Sequence, residues 1–177
     1  KWVDDSCLLL DQTKIPWSET YIRCDRYTQV IEAIQKLAVR GAPLIGIAGA
    51  YSIVLAARES SQHPQADSFM QTAMSEIEIA RPTAVNLRWA VRRMRNIYQK
   101  HRSDYYKALL TEAQKIHEED IHCNRRIAGL GSELFANSST VLTCCNTGDL
   151  ATGGIGTAFG IIRAGWEQGK VSHVYVC

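Results

Sequence analysis

The sequence predicts an α+β domain that passes into an α/β domain: a small β-meander, a set of helices, then the first part of a Rossmann-like parallel sheet. Three observations carry this expectation. Short strand-like runs separated by turn residues occupy the segment from Trp2 to Cys24, and apolar residues recur at helical spacing between Val30 and Phe135. After Ser139 the pattern changes to strand, Gly- and Thr-rich loop, helix and strand. The boundary is expected near Asn137, separating an N-terminal domain (1–136) from the opening of a second (137–177).

In order along the chain, Trp2-Val3, Leu8 to Leu10 and Tyr21 to Cys24 read as strands, punctuated by Asp4-Asp5-Ser6 and by Pro16-Trp17-Ser18. Val30, Ile31, Ile34, Leu37 and Ala38 then mark a helix, with Thr28 as its expected cap. Pro43 stands where a helix can begin, since its missing N–H costs nothing in a first turn. The helix from Leu44 to Ala57 is apolar nearly all round and should be central, with Gly46, Ala48, Gly49 and Ala50 permitting close approach of neighbours. Phe69, Met70, Ala73, Met74 and Ile77 mark the next helix, stopped by Arg81-Pro82. Leu87, Ala90, Val91, Met94, Ile97 and Tyr98 mark another, whose far face carries Arg88, Arg92, Arg93 and Arg95; a solvated basic face is the reading favoured over a binding patch. Two further helices are expected over Tyr106 to Ile116 and Ile121 to Phe135. Thr140 to Cys145 should form a strand, Ile155 to Trp166 a helix closed by Gly169, and Val171 to Val176 a second strand, which makes one parallel crossover unit.

Composition removes several function classes. A net charge of +2 is too small for a polyanion-binding surface, so arginines must act as individual ligands and nucleic acid is disfavoured. The uncharged stretch Gly41 to Ala57 falls short of the roughly 20 residues of a membrane span. It also contains Pro43, Gly46, Gly49, Tyr51 and Ser52, so a buried core helix is expected rather than a membrane anchor. The six cysteines include no C-x-x-C pair, and adjacent Cys144 and Cys145 could not form an unstrained bridge. Reduced thiols in a cytoplasmic protein are expected. The chain begins without Met and stops after an apolar run, the pattern of a fragment; a polypeptide truly ending at Cys177 is expected to be inactive and poorly folded, with an unfinished sheet edge.

The chemistry concentrates at Thr143 to Gly154. In open α/β sheets ligands bind beyond the carboxyl ends of the strands, and the helix after such a loop offers N–H groups and a positive dipole end to an anion. Cys145, as the last strand residue, is expected to aim its sulfur into that crevice with a lowered pKa, while Cys144 packs inward. The competing reading of either cysteine is a small buried hydrophobe. Gly154, Gly156 and Gly160 give G-x-G-x-x-x-G, one residue off the dinucleotide fingerprint, and no acidic residue ends the second strand, so a nicotinamide cofactor is disfavoured. Arg40-Gly41-Ala42-Pro43 and Arg81-Pro82-Thr83-Ala84-Val85-Asn86 each put a guanidinium beside a helix start, as in phosphate recognition; the alternative is that both arginines cap helices or pair with carboxylates. Glu118 with His122, and Glu119 with Cys123, share helical faces without a third ligand at metal-binding spacing, so an exposed charged helix is the favoured reading.

The motifs Trp2-Val3-Asp4-Asp5, Leu9 to Pro16, Val39 to Gly46, Arg81 to Leu87, and Cys145-Asn146-Thr147-Gly148 with Leu150-Ala151-Thr152, in this order, resemble the methylthioribose-1-phosphate isomerases. Wider relatives of that family include ribose-1,5-bisphosphate isomerases and regulatory subunits of a translation-initiation exchange factor. The resemblance implies a homodimer without metal or cofactor that converts 5-methylthioribose 1-phosphate to 5-methylthioribulose 1-phosphate, a step of methionine salvage. It implies substrate binding by Arg40, Gly41, Ala42 and Arg81 and a catalytic role for Cys145. Asn146, Thr147 and Gly148 open the loop expected to supply backbone donors. The family places an essential aspartate and further substrate ligands later in the α/β domain than Cys177. Two positions depart from its pattern: Cys144 stands where His is usual, and Asp149 where a small residue is usual. The alternatives are a ribose-1,5-bisphosphate isomerase, or a non-catalytic regulatory subunit that binds a sugar phosphate or nucleotide.

Overall fold

The computed structural model describes residues 1–177, which divide into two compact units, Lys1–Ile116 and His117–Cys177. The first unit opens with a three-stranded antiparallel meander, β1 (Trp2–Val3), β2 (Ser6–Leu10) and β3 (Tyr21–Cys24), in the order β1-β2-β3. The β1–β2 turn uses Asp4 and Asp5 at φ 48° and 57°, the left-handed pair that a two-residue hairpin requires. Period-two alternation then sends Cys7 and Leu9 of β2 into the core.

Four helices complete the unit: α1 (Tyr27–Gln35), α2 (Ala42–Ser60), α3 (Ala66–Ile79) and α4 (Val85–Lys100). Thr28 does not cap α1, as the sequence reading expected. The N-cap is Arg26, two residues earlier, and the Gln29 side chain accepts the backbone N–H groups of Asp25 (2.8 Å) and Arg26 (2.9 Å). Leu37, placed on the helix by its spacing, lies beyond the helix end in a left-handed conformation and is 47% exposed.

The apolar helix α2 starts with Pro43 in its first turn and is buried along nearly its whole length, with α1, α3 and α4 packed around it. It is long and apolar enough to cross a membrane, but 72% of it is buried inside the fold. Its small residues let α4 close in: a Cβ on Gly49 would lie 2.3 Å from Leu87 Cδ1, and one on Gly46 would lie 3.0 Å from Asn86 O. The second and third turns of α2, at Gly46 and Gly49, therefore meet the first turn of α4 at Asn86 and Leu87. The basic face of α4 is largely neutralised within the fold, since Arg88 and Arg95 converge on Glu78 and Arg93 pairs with Glu112.

Where two helices were expected from Tyr106 to Phe135, one continuous helix, α5 (Tyr105–Ser132), forms. The polar stretch His117-Glu118-Glu119-Asp120 interrupts the apolar pattern but contains neither Gly nor Pro, so the backbone has no reason to break. The division between the compact units falls inside α5. The change from helices to strands comes later, at Ser139.

In the second unit β4 (Ser139–Thr143) pairs in parallel with β5 (Val171–Val176), and α6 (Ala158–Glu167) crosses between them. The β4 strand is shorter than expected, ending at Thr143 rather than Cys145, and α6 begins at Ala158 rather than Ile155. Gly169, at φ 69°, supplies the left-handed exit of α6. Gly131 of α5 is close enough to Ile161 of α6 that a Cβ would sit 2.6 Å from its Cγ1.

Candidate active-site elements

The sequence-predicted site residues fall in both units: Arg40, Gly41, Ala42 and Arg81 in the first, Cys145, Asn146, Thr147 and Gly148 in the second.

In the first unit, Arg40 is exposed at the entrance to α2. Gln12, buried at 4% exposure just past β2, holds the segment before that helix. Its backbone N–H donates to Ala38 O (3.0 Å), its Nε2 to Arg40 O (3.4 Å), and its Oε1 accepts from Arg40 Nε (3.4 Å). Gly41 is the residue just before α2, at φ 98°, a conformation that a side chain would strain. No side chain caps the helix start, which leaves N–H groups of its first turn available to an anion. Arg81, partly buried, lies in the turn between α3 and α4, where its carbonyl accepts from Ala84 N (2.9 Å) and Arg88 reaches back to Pro82 O (3.3 Å). Neither the Arg40 nor the Arg81 guanidinium pairs with a carboxylate. Pairing with carboxylates, one part of the alternative weighed from the sequence, is therefore absent at both arginines.

In the second unit, Cys145 is exposed and takes φ 68°, the left-handed region that non-glycine residues seldom occupy. Two expectations about the thiols are corrected. Cys144 does not pack inward; both cysteines are exposed, with their sulfurs 3.7 Å apart. Alternation stops applying because β4 has already ended. Nor is the Cys145 pKa lowered. The hydrogen bond with the Cys144 thiol raises it first, its charge interaction second and slight desolvation third.

The loop beyond Cys145 is held from several sides. Thr157 N donates to Thr147 O (2.8 Å), and Gly156, at φ 82°, packs so tightly that a Cβ there would lie 2.3 Å from the same carbonyl. Thr152 Oγ1 accepts from Gly156 N (3.1 Å) and Gly154 N (3.3 Å) and donates to Gly154 O (3.2 Å). Two α5 side chains grip the next peptide. Asp120 accepts from Gly153 N (2.7 Å) as well as from Asn124 Nδ2 (2.9 Å), and His117 Nε2 donates to Gly153 O (3.2 Å). Burial lowers the His117 pKa, which favours the neutral ring at pH 7. With the loop fixed this way, the N–H groups of Asn146, Thr147 and Gly148 donate to no protein acceptor. The near-dinucleotide glycines are thereby explained by packing: Gly156 by its φ, Gly160 by contact with Ile155.

Gln12, His117, Asp120 and Thr152 were not singled out from the sequence as supports of these elements. Each acts across a long stretch of chain or within an irregular loop, and no spacing rule marks such a pairing.

The Initiation factor 2 subunit family model matches residues 38–177. Among curated proteins, a methylthioribose-1-phosphate isomerase of Xanthomonas campestris pv. campestris is 47% identical over 176 residues, covering 98% of this chain and 50% of its own length. One from Nitrosococcus oceani is 47% identical, covering 98% and 51%. The chain thus spans about half the length of the curated relatives it matches. Among solved structures, 5-methylthioribose 1-phosphate isomerase from Pyrococcus horikoshii superposes with TM-score 0.90 at 30% identity, over 98% of this chain and 50% of that one. Translation initiation factor eIF-2B, subunit delta, from A. fulgidus superposes with TM-score 0.89 at 41% identity, over 100% of this chain and 53% of that one.

Proposed function

The chain belongs to the Initiation factor 2 subunit family, and within it we propose that this protein is an aldose–ketose isomerase converting 5-methylthioribose 1-phosphate to 5-methylthioribulose 1-phosphate. Curated relatives at 47% identity over 98% of the chain carry that name. The observation that carries the chemistry is an exposed thiol, Cys145, in a left-handed turn directly beyond a parallel strand, followed by three unclaimed backbone donors.

A phosphate ester on the anomeric carbon prevents the spontaneous ring opening of a free aldose. The enzyme must protonate the ring oxygen and then transfer hydrogen from C2 to C1, which needs an acid and a base at the reacting edge. Cys145, whose pKa the hydrogen bond with Cys144 raises above the ordinary thiol value, is suited to deliver the proton. A carboxylate later in the family's α/β domain acts as its partner. Arg40 and Arg81 hold the phosphate, with Gly41 and Ala42 admitting it to the start of α2, while Asn146, Thr147 and Gly148 orient the sugar. Asp149 is exposed and carries no partner that would neutralise it. The reading includes a cytoplasmic homodimer acting on a small sugar phosphate without metal or cofactor, and a place in methionine salvage.

The test is product detection on the full-length protein with 5-methylthioribose 1-phosphate and with ribose 1,5-bisphosphate. Cys145→Ser should lower kcat by at least about a hundredfold, as loss of an acid/base group does, and Cys144→Ser much less. Equal effects, or none from Cys145→Ser, would overturn the assignment. Turnover of the bisphosphate alone would move the protein to the sister activity. Binding of a sugar phosphate or nucleotide without turnover would make it a regulatory subunit, the second reading, to which the 41% identity with the A. fulgidus subunit gives weight. Retention or wash-out of the C2 hydrogen in heavy water separates hydride shift from enediol-type proton transfer.

A further inference from the structure

Four of the six cysteines have no thiol chemistry open to them that a neighbour would assist. Cys7 and Cys24 face each other across β2 and β3 but are fully buried, and burial pushes their pKa values up to about 12 and about 11. Cys123 and Cys177 are exposed without a sulfur neighbour. Cys144 and Cys145 differ from all of these: both are exposed, their sulfurs are 3.7 Å apart, and they lie in a turn outside the β4 ladder. The left-handed backbone at Cys145 sets the two thiols side by side where an extended strand would have sent them to opposite faces.

We propose that Cys144 and Cys145 form a dithiol modification site, which hydroperoxides oxidise to a reversible vicinal disulfide. One cysteine thiolate attacks the peroxide O–O bond, forming a sulfenic acid and releasing water or alcohol. The second thiolate attacks that sulfur, the S–S bond forms, and hydroxide leaves to become water. The two sulfurs together lose two electrons, and the peroxide gains them. Consecutive Cα atoms stand about 3.8 Å apart, short of the ~4.4–6.8 Å usual across a disulfide, so the bond is strained and returns readily to dithiol under a thiol reductant. The site itself does not depend on the catalytic reading of Cys145; only its consequence, reversible loss of turnover, rests on that reading.

The experiment treats the full-length protein with hydrogen peroxide and maps the tryptic peptide 127–163, which contains no cysteine other than these two. The expected result is loss of two hydrogens from that peptide, reversed by dithiothreitol. In Cys144→Ser, Cys145 should instead gain oxygens that the reductant does not remove, leaving recovery of activity at least about tenfold lower than in the parent protein. Oxygen addition without hydrogen loss in the parent protein, or equal recovery in both proteins, would overturn the proposal. Disulfide formation with undiminished turnover would leave the modification site standing and remove Cys145 from the catalytic machinery.

Discussion

At the scale of single residues, Cys145 shows how conformation and neighbourhood compete over one thiol. A non-glycine residue at φ 68° costs roughly 1–2 kcal/mol against extended backbone, and that cost persists only where the surroundings enforce it. Here they comprise the abrupt end of β4 and a loop fixed from behind. The resulting contact with Cys144 raises the thiol pKa, so at a given pH a smaller fraction is thiolate than in a free cysteine. Removing the neighbouring sulfur should reverse this. In Cys144→Ala, alkylation of Cys145 by iodoacetamide, followed by peptide mass spectrometry, should reach its half-maximal rate at lower pH than in the parent protein. An unmoved profile would show that Cys144 is not the cause. Cys7 and Cys24, with pKa values near 12 and 11, should stay unmodified while the fold is intact.

Among the elements, the pairing of α5 with the glycine-rich loop positions the candidate donors. Asp120 and His117 together satisfy both polar groups of Gly153, so the loop is held by a helix rather than by its own turns alone. Asp120→Ala would leave the Gly153 N–H without its charged acceptor, at a cost of about 1–2 kcal/mol for a half-exposed site. Hydrogen exchange should report this as faster opening at Gly153, Gly154 and Gly156 with little change in α2. The His117 contribution has a defined sign. Its folded pKa is lowered, so the stabilisation is complete above the ordinary imidazole value of ~6.5 and is lost as pH falls below it through the folded value. Loop protection should therefore weaken on acidification, and less so in His117→Gln. Gly156→Ala tests the same loop from the other side: strained φ and a clash with Thr147 O should destabilise the second unit by roughly 1–3 kcal/mol.

For the whole molecule, α2 organises the first unit, and its tolerance for crowding is small. Gly49→Ala would place a methyl against Leu87 in a packed core, for which overpacking costs of about 1–3 kcal/mol are usual. A fall in Tm with the fold retained by circular dichroism is the expected outcome; an unchanged Tm would mean that Leu87 has room to turn aside. Charge acts locally rather than as a field. With a net +2, and with Arg88, Arg93 and Arg95 committed to Glu78 and Glu112, the arginines left without carboxylate partners include Arg40 and Arg81, the two placed beside helix starts.

The sequence by itself determined what short-range periodicity and backbone chemistry encode. The meander, α2 with its proline start and small-residue faces, the arginine-rich stripe of α4 and the parallel crossover were all legible, because apolar spacing and turn residues act within a few positions of one another. The cysteine and the two arginines were legible as candidates because each stands beside a junction between elements. Only the tertiary structure decided that His117 to Asp120 continue a helix and clasp a loop 33 residues further on, and that Gln12 steadies Arg40. It alone placed Cys144 and Cys145 side by side. These outcomes depend on where β4 stops and on partners distant in the chain, and contacts of that kind leave no periodic trace in the residues that make them.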